Sequence, residues 1–251
     1  IATVISKSIN TSKRITEILM DEFPQFFEFN DDIEKIAAEY KIQKKAMQVM
    51  DYDDLLVQLL VLLDDCPDVR KQCQKRFKYI MVDEFQDTNK IQHEIILNLI
   101  GPEKNILVVG DDAQSIYSFR GADFKNIIDF PNQFKDTEVI TLEQNYRSVQ
   151  PILDLTNEVI SHAQERYAKN LFTKNDGSQK PVFIETDSEN TQSRFVCQKI
   201  LELREEGTSL KDIAVLVRSG WHSNDLEVEL KSRNIPFTKV GGFKFVEAAH
   251  V

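Results

Sequence analysis

Apolar residues in the first fifty positions recur at helical spacing among charged ones. Ile15, Ile18 and Leu19 share one face, as do Ile33, Ile36 and Ala37, with Pro24 between the two sets. This predicts two or three amphipathic helices before about residue 50. Lys7, Lys13 and Arg14 can touch phosphate there, but read better as a solvated helix face. A strongly apolar stretch to about Leu63 predicts a further helix with Asp51 as its N-cap, and 67–74 a short one. The pattern then changes. Residues 79–82 form an apolar run without polar alternation, as in a strand buried on both faces of a parallel sheet. Residues 91–100 return to helical spacing and stop at Gly101-Pro102, and 105–109 form a second apolar run. Strand, helix and strand in that order predict a parallel βαβ unit. Farther on, 124–130 predicts a helix ended by Pro131, 138–142 a third strand and 151–163 a helix. Runs at 181–185, 213–217 and 236–240 predict strands that alternate with helices over 190–206 and 224–232. The expected fold is α/β, with parallel sheets flanked by helices and a short helical segment in front.

Composition narrows the function classes without naming one. The chain has 251 residues, 41% hydrophobic and 29% charged, in the range of ordinary globular proteins. A net charge of −10 argues against a protein coated in a basic field, though not against a narrow track for nucleic acid. Cys66, Cys73 and Cys197 lack metal-ligand spacing and read as reduced thiols. No apolar run reaches the roughly 18–20 residues that would span a membrane, and no signal-peptide pattern is present, so a cytoplasmic protein is expected. The chain opens on Ile1 and stops at Val251 soon after a glycine pair, which leads us to expect a piece of something longer.

The chemistry concentrates where the first apolar run ends. Val82 is followed at once by two carboxylates, Asp83 and Glu84, and open parallel sheets bind ligands beyond the carboxyl ends of their strands. An acidic pair there suits a metal-bound nucleotide, with Asp83 on Mg2+ and Glu84 orienting and deprotonating a water. A strand ending in a solvated turn is the plainer alternative. Tyr117 and Phe119, two apart, can point to one side of an extended segment and stack on bases, or can simply be core.

Longer strings carry a resemblance. Residues 83–88 read DEFQDT, 110–122 read GDDAQSIYSFRGA, and 142–148 read LEQNYRS, while MDYDDLL at 50–56 precedes them by about thirty residues. In order and spacing these resemble the UvrD/Rep family of superfamily 1 DNA helicases, over most of the chain from Met50 onward. The resemblance implies two partial RecA-like lobes that bind ATP between them and step along single-stranded DNA, 3′ to 5′. It divides the chain into an accessory helical segment (1–49), the second half of a first lobe (50–137) and the start of a second lobe (138–251). It implies that Gln114 senses the γ-phosphate, that Tyr146 stacks on adenine and that Arg147 reaches the γ-phosphate across the cleft. It places Tyr117, Phe119 and Arg120 on the DNA path, although Arg120 can equally be a buried ion-pair partner. Phe119 stands where many relatives carry tryptophan. GGFKFVE at 241–247 resembles a second-lobe segment, with His250 where the family has an acid.

No GxxxxGK[ST] phosphate loop occurs in these 251 residues. The chain alone is therefore expected to be catalytically inactive, although the parent would use ATP and Mg2+. Exposed sheet edges suggest a homodimer. Two rivals remain: the motor part of a helicase–nuclease subunit, and a non-catalytic docking module that kept the fold.

Overall fold

The chain starts with three helices, α1 (Ala2–Thr11), α2 (Ile15–Glu22) and α3 (Asn30–Met47), in a computed structural model that describes residues 1–118, 121–123 and 125–241. Pro24 opens a three-ten turn between α2 and α3, where its missing N–H removes no bond. The three helices meet through Val4, Ile18, Leu19 and Ile33. Lys7 departs from the expected solvated face: its side chain is only 12% exposed and pairs with Glu22 at 2.5 Å.

Asp51 caps α4 (Tyr52–Asp65) as expected. Its side chain accepts the Asp54 N–H, and Asp54 accepts the Asp51 N–H in return. Helix α5 (Pro67–Arg76) leads into β1 (Ile80–Val82), α6 (Lys90–Leu99) and β2 (Ile106–Val108). Strands β1 and β2 pair in parallel, with Ile80 opposite Ile106 and Val82 opposite Val108. Leu63 of α4 packs against Ile91 and Ile95 of α6. The expectation that 79–82 is buried on both faces is corrected. Side chains alternate across a strand, and only one face is covered, by Phe85, Ile127 and Phe130. Met81, pointing the other way, is 77% exposed.

Helix α7 (Lys125–Gln133) runs through Pro131 rather than ending at it; Phe124 lies outside the described residues. Proline cannot donate to the carbonyl four residues back. That carbonyl, of Ile127, instead accepts from the Tyr167 hydroxyl at 2.9 Å. Next come β3 (Gln144–Asn145), α8 (Gln150–Ser161) and β4 (Phe172–Thr173), with β3 and β4 parallel.

The chain divides into two compact units, Ile1–Lys180 and Pro181–Val251. In the second, α9 (Glu189–Glu205) packs on α10 (Asn224–Ser232) through Cys197, Ile200, Leu226 and Leu230. Burial pushes the Cys197 thiol pKa up. Four expected strands form no ladder: 138–142, 181–185, 213–217 and 236–240. β-propensity reflects fit to a pleated, half-buried surface and needs a neighbouring edge. Leu142, Phe183 and Leu216 in these runs are 77%, 88% and 94% exposed.

Replacing Tyr167 with phenylalanine strands the Ile127 carbonyl. The expected loss is about 1 kcal/mol in a urea melt; an unchanged midpoint would show that water satisfies this carbonyl equally well.

Candidate nucleotide and DNA site

The two parallel strands deliver their polar groups to one end. Pairing continues past both: the Val109 N–H donates to Val82 O at 2.8 Å, and the Phe85 N–H to Val109 O at 3.0 Å. Beyond β1 stand Asp83 and Glu84, both exposed. Glu84 adopts a left-handed backbone, φ 51 and ψ 40, which is uncommon for a residue with a side chain. Its N–H donates to Asp83 Oδ1 at 2.9 Å. The chain then turns through Phe85–Asp87, burying Phe85 and Gln86 and leaving the two carboxylates outside.

Beyond β2, Asp111 caps the short turn Asp112–Gln114. Its Oδ1 accepts the Ala113 N–H and its Oδ2 accepts Gln114 Nε2 at 2.8 Å. Lys169 pairs with both Asp111 and Asp112, at 2.6 Å from the latter. Burial works to raise the Asp111 pKa, but the Gln114 and Lys169 hydrogen bonds together outweigh it and hold the carboxyl low. Burial likewise opposes the Lys169 charge, and its two carboxylate partners outweigh that and raise its pKa.

Gln86 joins the strand ends. Its Nε2 donates to Glu84 Oε2 at 2.7 Å, and its Oε1 accepts the Asp111 N–H at 3.0 Å. Gly110 makes room for this: a Cβ there would sit 2.4 Å from Gln86 Oε1. Asp83, Glu84 and Gln114 are thus brought to one end of the β1–β2 pair.

Tyr117 is 38% exposed and lines an open hollow with Asn10, Asp53, Asp87 and Asn89. Asn10 donates to Asp53 at 2.8 Å and accepts from Asn89 at 2.7 Å, so its walls are cross-linked. Burial, and then the nearby Glu84 charge, raise the Asp87 pKa. Phe119 and Arg120 lie outside the described residues. At β3, Asn145 Oδ1 accepts the Arg147 and Ser148 N–H groups, both at 2.8 Å. This turn presents Tyr146 at 78% exposure, with Arg147 exposed beside it. Arg147, Asp83 and Glu84 form no ion pair among the described residues.

Residues 5–135 match the UvrD/REP helicase N-terminal domain, and residues 140–251 match the UvrD-like helicase C-terminal domain. The chain belongs to the UvrD/Rep helicase family. It is similar to the ATP-dependent DNA helicase PcrA of Leuconostoc citreum, 38% identical over 224 residues, covering 89% of this chain and 30% of that protein. It is 39% identical over 212 residues to the protein of the same name from Staphylococcus epidermidis RP62A, covering 84% and 29%. The Staphylococcus aureus Mu50 protein is 38% identical over 216 residues, covering 86% and 30%. The chain spans about 30% of the length of these curated relatives.

Three residues of this UvrD/Rep chain join the site without having been singled out from sequence: Gln86, Asp111 and Lys169. Gln86 and Asp111 lie inside strings that drew attention for other members. Lys169 had no local signal, because it sits in a polar loop 58 residues from Asp111.

Lys169→Met is expected to cost about 3 kcal/mol near neutral pH, the low end for a buried pair because Asp111 keeps 28% side-chain exposure. The Asp111 part of this is present above its unfolded pKa of about 3.9 and is lost as pH falls through the depressed folded value. The Lys169 part is present below its unfolded pKa of about 10.4 and is lost as pH rises through the elevated folded value. Wild-type and variant urea midpoints should converge in acid; a constant gap from neutral to strongly acid pH would contradict the pairing.

Proposed function

We propose that this chain is part of an ATP-dependent 3′–5′ DNA helicase and translocase motor acting in DNA repair or replication. The observation that carries this reading is the joining of Asp83-Glu84 and Asp111–Gln114 at the carboxyl ends of adjacent parallel strands through buried Gln86. The relatives' printed names supply the ATP and the DNA. The division follows the strings: 1–49 accessory helices, 50–137 first lobe, 138–251 second lobe.

Asp83 fits Mg2+. The ion needs only one or two carboxylates beside phosphate oxygens and water. Asp83 is exposed, and its Oδ2 makes no hydrogen bond among the described residues. Mg2+ held there would neutralise charge on the β- and γ-phosphates. Glu84 orients and deprotonates the attacking water. Gln114 reads the γ-phosphate, and to do so exchanges its bond to Asp111. Tyr146 offers an exposed ring to adenine, and Arg147 offers the γ-phosphate a guanidinium that has no ion pair among the described residues. Tyr117, Phe119 and Arg120 contact single-stranded DNA. The protein is cytoplasmic, and no described helix is long and apolar enough to cross a membrane. The unladdered runs favour self-association of the isolated chain.

The 251 residues alone should not hydrolyse ATP. Without a phosphate loop, Mg2+ alone must bridge the repulsion between Asp83-Glu84 and a triphosphate. In the full-length protein, Glu84→Gln should keep ATP binding and lower DNA-stimulated turnover by about 10²–10⁴. Phosphate release with Mg-ATP and single-stranded DNA checks both. Turnover by the 251-residue chain that vanishes on Glu84→Gln would overturn the first statement, and an active full-length Glu84→Gln the second.

A further inference from the structure

Gln86 is fully buried, at 0% exposure. A buried primary amide carries two donors and two acceptor positions, and each must find a partner or be left costly in a dry environment. Nε2 donates to Glu84 Oε2 at 2.7 Å and stands 3.4 Å from Asp87 Oδ2. Oε1 takes the Asp111 N–H at 3.0 Å. The main-chain carbonyl of the same residue accepts from Ser115 Oγ at 3.2 Å.

These partners lie on three functional surfaces. Glu84 is on the nucleotide side. Asp111 and Ser115 bracket the turn that carries Gln114, and Ser115 is two residues before Tyr117. Asp87 and Tyr117 line the same hollow. Gln86 is also the one side chain that hydrogen-bonds Glu84 among the described residues. The left-handed backbone of Glu84 removes it from any strand or helix whose neighbours would otherwise orient it.

We propose that Gln86 is a positioning residue through which single-stranded DNA at the Tyr117 face sets the orientation of the Glu84 carboxylate. This rests on the helicase reading above and adds to it the route between the two sites. An amide is planar, so its oxygen and nitrogen ends turn together. Movement of the Asp111–Ser115 loop carries the Asp111 N–H with it and rotates the Oε1 end. The Nε2 end then repositions Glu84 Oε2, and with it the oxygen that faces water. The missing Cβ at Gly110 leaves the amide its space, with Ile127 Cδ1 as the other near wall at 2.7 Å from where that Cβ would lie. The amide is neutral, so the link works without a change of charge.

The test is steady-state ATPase of the full-length protein with and without an oligo(dT) strand, alongside oligo(dT) anisotropy. Gln86→Met keeps the length and removes the amide. The ratio of DNA-stimulated to basal rate should fall at least about tenfold, as expected of a displaced catalytic group, while KM for ATP and Kd for DNA stay within about threefold. Ser115→Ala, which loosens the loop by removing its bond to the Gln86 main-chain carbonyl while keeping the amide, should lower the ratio by about threefold. A merely structural role would reduce stimulated and basal rates in equal proportion, and that result overturns the proposal. So does an unchanged ratio in folded Gln86→Met. If Gln86→Met does not fold, an unchanged ratio in Ser115→Ala overturns it. A wild-type protein with no DNA stimulation at all would instead overturn the helicase reading on which this one rests.

Discussion

The buried Gln86 amide is the constraint around which the candidate site is arranged. Two parallel strands end side by side, and each end releases carboxylates that repel one another. A neutral amide between them satisfies one carboxylate oxygen of Glu84 and the Asp111 N–H together. Leaving either amide end without a partner in this interior would forfeit about 1–3 kcal/mol. Gly110 follows from the same constraint, because any side chain there would overlap Gln86 Oε1. So does the left-handed turn at Glu84, which sends Phe85 and Gln86 inward while Asp83 and Glu84 stay in solvent.

Charge is balanced outward from that amide. Lys169 spans Asp111 and Asp112, which offsets part of the negative charge where β2 ends, while Asp83 and Glu84 have no such ion pair among the described residues. Asp111 can then hold Gln114 without itself being protonated, since Lys169 and Gln114 favour its charged form. Tyr167 works on the same loop from another direction. Its N–H donates to Asp112 Oδ2 at 3.1 Å, and its hydroxyl satisfies the carbonyl that Pro131 leaves open in α7. One segment, 167–169, therefore fixes both the loop after β2 and the helix that covers the sheet.

Local features of the chain were legible wherever local physics decides. Asp51 announced the start of α4 because an N-cap needs only its own next three residues. The β1–α6–β2 order was legible because period and punctuation change within a few residues. Pro131 misled, because its effect depends on whether another group takes the freed carbonyl, and Tyr167 is 36 residues away. The runs at 181–185 and 213–217 misled for a related reason: apolar strand formers specify a surface, and the ladder depends on an edge elsewhere. Carboxylates at a strand end were visible as chemistry. The amide that organises them was not, because nothing in DEFQDT says that its glutamine turns inward.

The most direct measurement is amide hydrogen exchange in the 251-residue chain, read residue by residue at Asp111. With its N–H held by buried Gln86 Oε1, that amide should exchange about as slowly as Val109, whose N–H lies in the extended pairing to Val82. In Gln86→Met, Asp111 should lose protection while Ile95 in α6 keeps its own. Exchange of Asp111 at the rate of an open loop in the wild-type chain would mean that the amide does not join the two strand ends, and the account of the site would fall with it.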